Sequence, residues 1–294
     1  MNFYKSIFLL AVLSTLVLSC SDENDTNNEF GRLKVQLTDA PFPHDLVAEA
    51  NVTVFKIDAR YKGTADMEED SMDSEDMNLE ASDDKRFTVL MEDEIQVNLL
   101  ELTNGVTQTM VDVDFPVGSY DLIRVYLKGI YVVLIVCTSY DLKVPSGEQS
   151  GIKIFIKPEI NVNGGITSDL LLDFDVSKSF VAKGGIINIT GFNFKPVIKV
   201  SNLSTAGTLK GMITEKIEDQ NVGVEGVQVA VFIADTLNTT TFSDIDGGYM
   251  IMGLDAGSYT VELEKMDYLM QTVTEVQIDA ANQTVLDFEI QIEE

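Results

Sequence analysis

Leu33, Val35 and Leu37 alternate with Lys34, Gln36 and Thr38 until the chain reaches Asp39-Ala40-Pro41, and this period of two, closed by turn residues, recurs along the chain. Such alternation puts apolar side chains on one face of a strand and polar ones on the other. Val52, Val54, Ile57 and Ala59 continue it, and β-rich runs follow at 87–90, 95–100, 109–115, 120–127, 131–136 and 152–156. No stretch sustains a 3.6-residue period, so the apolar faces must be buried sheet against sheet. The expected fold class is all-β, with two antiparallel β-sandwich domains in tandem. At 294 residues the chain can build such cores without disulfide staples.

The first twenty residues break the pattern. Lys5 provides a positive start, and residues 7–18 are apolar apart from Ser14 and Thr15, as in a secretory signal. A transmembrane helix needs roughly 20 apolar residues, so removal of this segment is expected. Its end, Leu16-Val17-Leu18-Ser19-Cys20, resembles the lipobox of bacterial lipoproteins. That resemblance implies lipid attachment at Cys20, which becomes the new N-terminus, with the membrane as a partner through this anchor. Ser21 to Glu29 is polar and acidic, a tether without apolar periodicity. Acidic residues directly behind the lipidated Cys resemble the export signal of Bacteroidetes lipoproteins. They imply an outer-membrane, lipid-anchored protein on the cell surface, the periplasmic face being the alternative. The expected division is signal peptide 1–19, tether 20–30, first sandwich 31–203 and second sandwich 204–294.

Composition excludes several functions. The formal charge is −28, and becomes −29 without residues 1–19, which hold Lys5 and no acid. A surface of that sign repels polyanions, so nucleic acid is not a partner. It also repels anionic headgroups, which leaves attachment to the acyl chains. With Cys20 lipidated, Cys137 is the remaining thiol and no intrachain disulfide is possible. Cys137 ends the apolar run 131–137, where a buried hydrophobe is expected.

Several phrases occur in order: Leu37-Thr38-Asp39-Ala40-Pro41, Val97-Asn98-Leu99-Leu100, Tyr120 with Ile123-Arg124, Leu142-Lys143-Val144-Pro145-Ser146-Gly147, Ser150-Gly151-Ile152-Lys153, Leu172-Asp173-Phe174-Asp175 and Lys195-Pro196-Val197-Ile198. Together they resemble an uncharacterised domain of Bacteroidetes lipoproteins, one of the domain-of-unknown-function families, over about residues 31–200. Beyond Ser201 to Ala206 the punctuation becomes denser. Gly211-Met212-Ile213, residues 226–231, Ser243-Asp244-Ile245-Asp246-Gly247-Gly248-Tyr249 and residues 253–261 alternate turn and strand, and 286–292 closes the module. This order resembles the carboxypeptidase regulatory-like domain over about residues 207–292, which implies a transthyretin-type sandwich, also called a carbohydrate-binding-like fold. Asp267-Tyr268 stands where Gly-Tyr is usual in that family. Pro116-Val117-Gly118-Ser119-Tyr120 and Asp255-Ala256-Gly257-Ser258-Tyr259 both place a turn glycine two residues before a strand tyrosine, so similar sandwich edges are expected in the two domains.

The inventory for chemistry is poor. Between Asp66 and Asp84 lie ten acids, no Lys or Arg, and Met67, Met72 and Met77. Carboxylates collect calcium, but this stretch has no Asp-x-Asp-x-Asp-Gly register, and a solvated, self-repelling loop is the expected state. His44 is the single histidine and sits in a turn, so neither a zinc site of His and Cys nor a histidine triad is assembled. Asp244 and Asp246 are expected to cap a hairpin, with Gly247 and Gly248 at positive φ. Gly164-Gly165 and Gly184-Gly185 read as hairpin turns, and no phosphate-binding Gly-Lys-Ser/Thr loop occurs. No pair among the 48 acids stands out for glycoside chemistry. No catalytic residue, cofactor or metal is expected, and the chain is not expected to be an enzyme.

The expectation is a non-enzymatic, lipid-anchored surface binding or spacer module with an unknown protein or glycan partner. With no Trp in the chain, stacking on sugars is weakly provided for. The alternative is a fimbrial or adhesin-like subunit assembled by strand exchange, since Bacteroidetes fimbrillins also join a lipobox to two sandwiches. Leu286-Asp287-Phe288-Glu289-Ile290-Gln291-Ile292 bears on that choice. It is expected to complete its own sandwich, burying Leu286, Phe288, Ile290 and Ile292, rather than to augment a neighbour.

Overall fold

The computed structural model describes residues 29–40, 46–63, 86–144, 149–185 and 188–293. The expected signal peptide, Cys20, most of the expected tether, His44 and the acidic stretch 66–84 lie outside the described residues.

The chain first forms β1 (Phe30–Ala40), β2 (Val47–Gly63), β3 (Phe87–Met91), β4 (Ile95–Asn98), β5 (Gln108–Pro116), β6 (Gly118–Leu134), β7 (Ser139–Leu142), β8 (Ile152–Val162) and β9 (Thr167–Asp175). One helical turn, α1 (Val176–Ser179), leads to β10 (Phe180–Gly185), β11 (Asn188–Phe194) and β12 (Ile198–Asn202). One sheet has the order β12-β9-β1-β5, and the facing sheet is built on β3-β2-β6-β7, with β4 added to β2 and β8 to β6. The alternation in β1 buries Leu33, Val35 and Leu37 against this second sheet, where Val52, Ile57, Ile123 and Leu127 are equally buried. Most pairings are antiparallel, but β1 and β9 run parallel, Thr38 opposite Asp173 and Asp39 opposite Phe174.

The second sandwich comprises β13 (Gly207–Ile217), β14 (Gln220–Gly223), β15 (Gln228–Ile233), β16 (Thr236–Phe242), β17 (Gly248–Leu254), β18 (Gly257–Glu264), β19 (Gln271–Ile278), β20 (Gln283–Val285) and β21 (Phe288–Ile290). Its sheets are β16-β15-β18-β19 and a sheet centred on β13, which pairs with β14, β17, β20 and β21. Leu209, Ile213, Val229, Val261 and Phe288 belong to a core separate from that of the first domain. The fold is therefore all-β, as the period-two pattern requires.

Four local expectations need correction. The run 120–127 and residues 131–134 of the next run belong to one strand, β6. Gly129, at φ 55°, opens a bulge there, and the register to β2 slips between Asn51 and Thr53 instead of ending. Cys137 is exposed rather than buried, because β6 stops at Leu134 and Ile135 to Thr138 form the turn into β7. Cys137 lies in that turn at φ 60°, its N–H bonded to the Leu134 carbonyl. Gly164-Gly165 joins β8 to β9, which lie in different sheets, so it turns a sandwich corner and not a hairpin. Ile292 is 61% exposed, while Phe288 and Ile290 of the same run are buried.

The paired glycine and tyrosine phrases do form equivalent corners. The Tyr120 hydroxyl donates to the Pro116 carbonyl at 2.9 Å, and that of Tyr259 to the Asp255 carbonyl at 2.7 Å. Each bond closes a strand entrance with a buried ring whose polar tip finds backbone. Burial pushes the Tyr120 hydroxyl up to about 12.

Candidate functional site

The two domains meet where β1 ends. Asn104, at φ 56°, presents its side chain to the second domain. Its Nδ2 donates to Asp244 Oδ2 at 3.1 Å and to the Gly248 carbonyl at 3.2 Å, and its Oδ1 accepts from the Met250 N–H at 2.5 Å. Ser201 Oγ donates to the Gly253 carbonyl at 2.8 Å, and Lys199 Nζ to Asn238 Oδ1 at 2.7 Å. Gly105 and Gly253 admit this approach: a Cβ on Gly105 would stand 2.5 Å from Met250 Sδ, and one on Gly253 would crowd Ser201 and Leu171. Leu171 accordingly is buried although its neighbours Leu170 and Leu172 point into the sandwich core.

Inside the junction is a cavity of about 20 Å³, lined by Thr38, Asp39, Asn104, Asp173, Thr241 and Met250 among others. The Thr38 hydroxyl lies 2.9 Å and 3.0 Å from the carbonyls of Leu102 and Val106 and donates its single proton between them. Asp39 Oδ1 accepts from the Val176 N–H at 3.1 Å, whereas Asp39 Oδ2 is buried and has no hydrogen-bond partner among the described residues. Thr241 Oγ1, from the other domain, is in the same condition. Burial holds the Asp39 carboxyl well above the usual carboxylate range, and the nearby charge of Asp173 adds to the effect, with a smaller opposing contribution from the Val176 N–H. Asp175 is held the other way: its burial is outweighed by hydrogen bonds from Lys178 and Ser177.

Asp39 and Asp173 come from two of the phrases singled out in the sequence, Leu37-Thr38-Asp39-Ala40-Pro41 and Leu172-Asp173-Phe174-Asp175. Sequence reading did not pair them, because only the parallel register of β1 and β9 brings them together. The available signal was an acid close to apolar residues at each strand end, Asp39 after Leu37-Thr38 and Asp173 between Leu172 and Phe174.

Asp244 caps its turn: Oδ1 accepts from the N–H groups of Asp246 at 3.0 Å and Gly248 at 2.8 Å. The turn passes between sheets, from β16 to β17, so it is not the hairpin expected. Only Gly247 of the glycine pair takes positive φ, at 82°. Asp267 takes the left-handed conformation of the usual glycine, at φ 67°. Among the described residues no group of three or more His, Cys, Asp or Glu converges to hold a metal, and no helix is long and apolar enough to cross a membrane.

None of the curated proteins matches the chain. Similar solved structures include a type II cohesin-X-dockerin complex from Acetivibrio cellulolyticus, 22% identical over 29% of this chain and 58% of that one, with a TM-score of 0.24. The chain thus spans little more than half of that structure's length. The minor pilin of Streptococcus agalactiae is 11% identical over 89% of this chain and 96% of its own, with a TM-score of 0.26. The shaft pilin of Lactobacillus rhamnosus is 12% identical over 90% and 98%, with a TM-score of 0.27. Likenesses at these scores carry nothing about function. The Carboxypeptidase regulatory-like domain model matches residues 208–291. The model described as Domain of unknown function (DUF4382) matches residues 30–196, more than half of the chain. The chain therefore belongs to the DUF4382 family and carries a carboxypeptidase regulatory-like domain behind the family's own.

Proposed function

We propose that the protein is a non-enzymatic, lipid-anchored spacer and binding module of the outer membrane, attached through Cys20 and holding its second sandwich away from the lipid for a protein or glycan partner. The observation that supports this reading is the placement of the two ends of β1. Glu29 and Phe30 enter beside Val117 and Gly165, while Thr38 and Asp39, at the other end, line the contact with the second domain. At ~3.3 Å per strand residue, the eleven residues of β1 separate tether and junction by roughly 35 Å. A junction bonded through Asn104 and Ser201 transmits that separation as a fixed spacing.

Two measurements test the reading. Cys20→Ala is expected to move the protein from the detergent phase to the aqueous phase, and unchanged partitioning overturns the anchor. The mature chain without lipid is expected to be monomeric by light scattering. Ladders of high mass on mildly denaturing gels would instead favour a fimbrial subunit joined by strand exchange.

A further inference from the structure

Resting on the reading of the second sandwich as the binding end, we propose that the groove at its β18–β19 turn docks a protein segment with large apolar side chains flanked by Lys or Arg. The groove measures about 1010 Å³ and is lined by Phe242, Glu264, Met266, Asp267, Tyr268 and Ile292 among others. Its lining residues are not those that bond the first domain, which are Asn238, Asp244, Gly248, Met250 and Gly253.

A fixed backbone holds apolar side chains in water here. Met266 is 85% exposed and Met270 66%, and Leu269 and Ile292 are exposed as well. Tyr268 and Ile292 form an antiparallel bridge, framed by the Glu293 N–H on the Asp267 carbonyl and the Leu269 N–H on the Gln291 carbonyl, each at 2.9 Å. The Tyr268 hydroxyl donates to Glu215 Oε2 at 2.9 Å, which fixes the ring. Apolar surface gathered in this way marks a contact site. Met and Tyr are enriched at interfaces, Met because its chain adapts to the shape of a partner. A groove of this order takes several side chains.

Charge selects the occupant. Glu264 and Asp267 line the groove, and Glu225 and Glu293 adjoin its lining residues Gly226 and Ile292 in sequence. Lys265, the cation of the described lining, donates to the Glu225 carbonyl at 2.7 Å and lies over the Tyr268 ring. The chain has 48 Asp and Glu against 20 Lys and Arg, so a second copy or an anionic lipid surface brings like charge to this place. A segment with basic flanks meets the acidic rim while its apolar side chains fill the centre.

The test uses the full mature chain carrying Cys20→Ser and two sets of labelled synthetic peptides with Leu, Phe or Met spaced along a Ser-Gly background, one set flanked by Lys and the other by Glu. Binding is read by fluorescence polarisation for the parent, Met266→Gln, Ile292→Thr, and Glu264→Gln combined with Asp267→Asn. All four replaced side chains are exposed, and Asn tolerates the left-handed backbone of Asp267, so each variant is expected to melt with the parent. The Lys-flanked set is expected to bind and the Glu-flanked set not to. Met266→Gln and Ile292→Thr should each weaken binding about fivefold to tenfold. The double charge variant should weaken it about threefold at low salt and flatten its salt dependence. The proposal is overturned if no Lys-flanked peptide binds, if the Glu-flanked set binds equally well, or if Met266→Gln and Ile292→Thr leave binding unchanged. Sedimentation of the chain with phosphatidylcholine vesicles, or a dimer abolished by Met266→Gln, overturns it too, by giving the patch to lipid or to a second copy. Failure of peptide binding alone leaves the anchored spacer standing, because Cys20→Ala partitioning decides that reading separately.

Discussion

Arg124 shows how one residue can hold a sheet together electrostatically. It lies directly across the strand pair from Asp58, with Nε and Nη2 donating to the two carboxylate oxygens at 2.7 Å and 2.8 Å. Asp58 is 1% exposed, the Tyr126 hydroxyl donates to it at 3.2 Å, and the guanidinium stacks 3.5 Å from the Phe87 ring centre. A buried ion pair of this kind contributes little net stability compared with apolar packing, yet removing one partner strands the other charge. Arg124→Ala is therefore expected to cost about 3–5 kcal/mol in urea denaturation. Arg124→Met combined with Asp58→Leu is expected to cost clearly less. Equal losses in the two variants would show that the guanidinium acts through packing on Phe87 and not through its charge.

At the scale of elements, the C-terminal strands carry the sharpest prediction. β20 and β21 both add to β13 in parallel, Thr208 opposite Gln283 and Ile213 opposite Phe288. Between them the Leu286 N–H bonds to the Lys210 carbonyl, and Asp287 Oδ1 accepts from the Met212 N–H at 2.8 Å, which keeps the path against β13 while it changes register. Phe288 and Ile290 are buried and Leu286 packs against the same core, each full burial contributing roughly 1.5–3 kcal/mol. That sum is comparable with the whole stability of a domain, about 5–15 kcal/mol. Truncation after Gln283 is expected to unfold the second sandwich and leave the first intact, read as a protease-resistant fragment ending near Asn202. A truncated second domain that stays folded, and assembles when a peptide of residues 284–294 is added, would instead support strand exchange.

At the scale of the molecule, two separate cores are joined through few side chains, so the junction should be sensitive where the cores are not. Asn104→Gly keeps the left-handed backbone and removes only the bonds to Asp244, Gly248 and Met250. The expected result is that melting of the cores changes by no more than about 1–2 kcal/mol, while small-angle scattering shows a larger radius of gyration from looser domain orientation. A radius equal to that of the parent would assign the rigidity to the glycine-mediated packing at Met250 and Ser201 instead.

The sequence by itself determined which face of each strand is buried, because period-two alternation is a local property that any sheet pairing must respect: Leu33, Val35 and Leu37 point inward whatever lies opposite. It also carried the order of the two domains and the tyrosine corners, whose hydrogen bonds span only four residues. Cys137 was misjudged from the same local pattern, since hydrophobicity alone does not say where a strand ends and its turn begins. Gly129 likewise looks the same in sequence whether it ends a strand or bulges one. Which strands become neighbours is decided by contacts between residues far apart in the chain. The parallel register of β1 and β9 set Asp39 near Asp173, and the docking of the second domain added Thr241, more than sixty residues further on. Only the tertiary structure could bring those three oxygen-bearing side chains to one cavity.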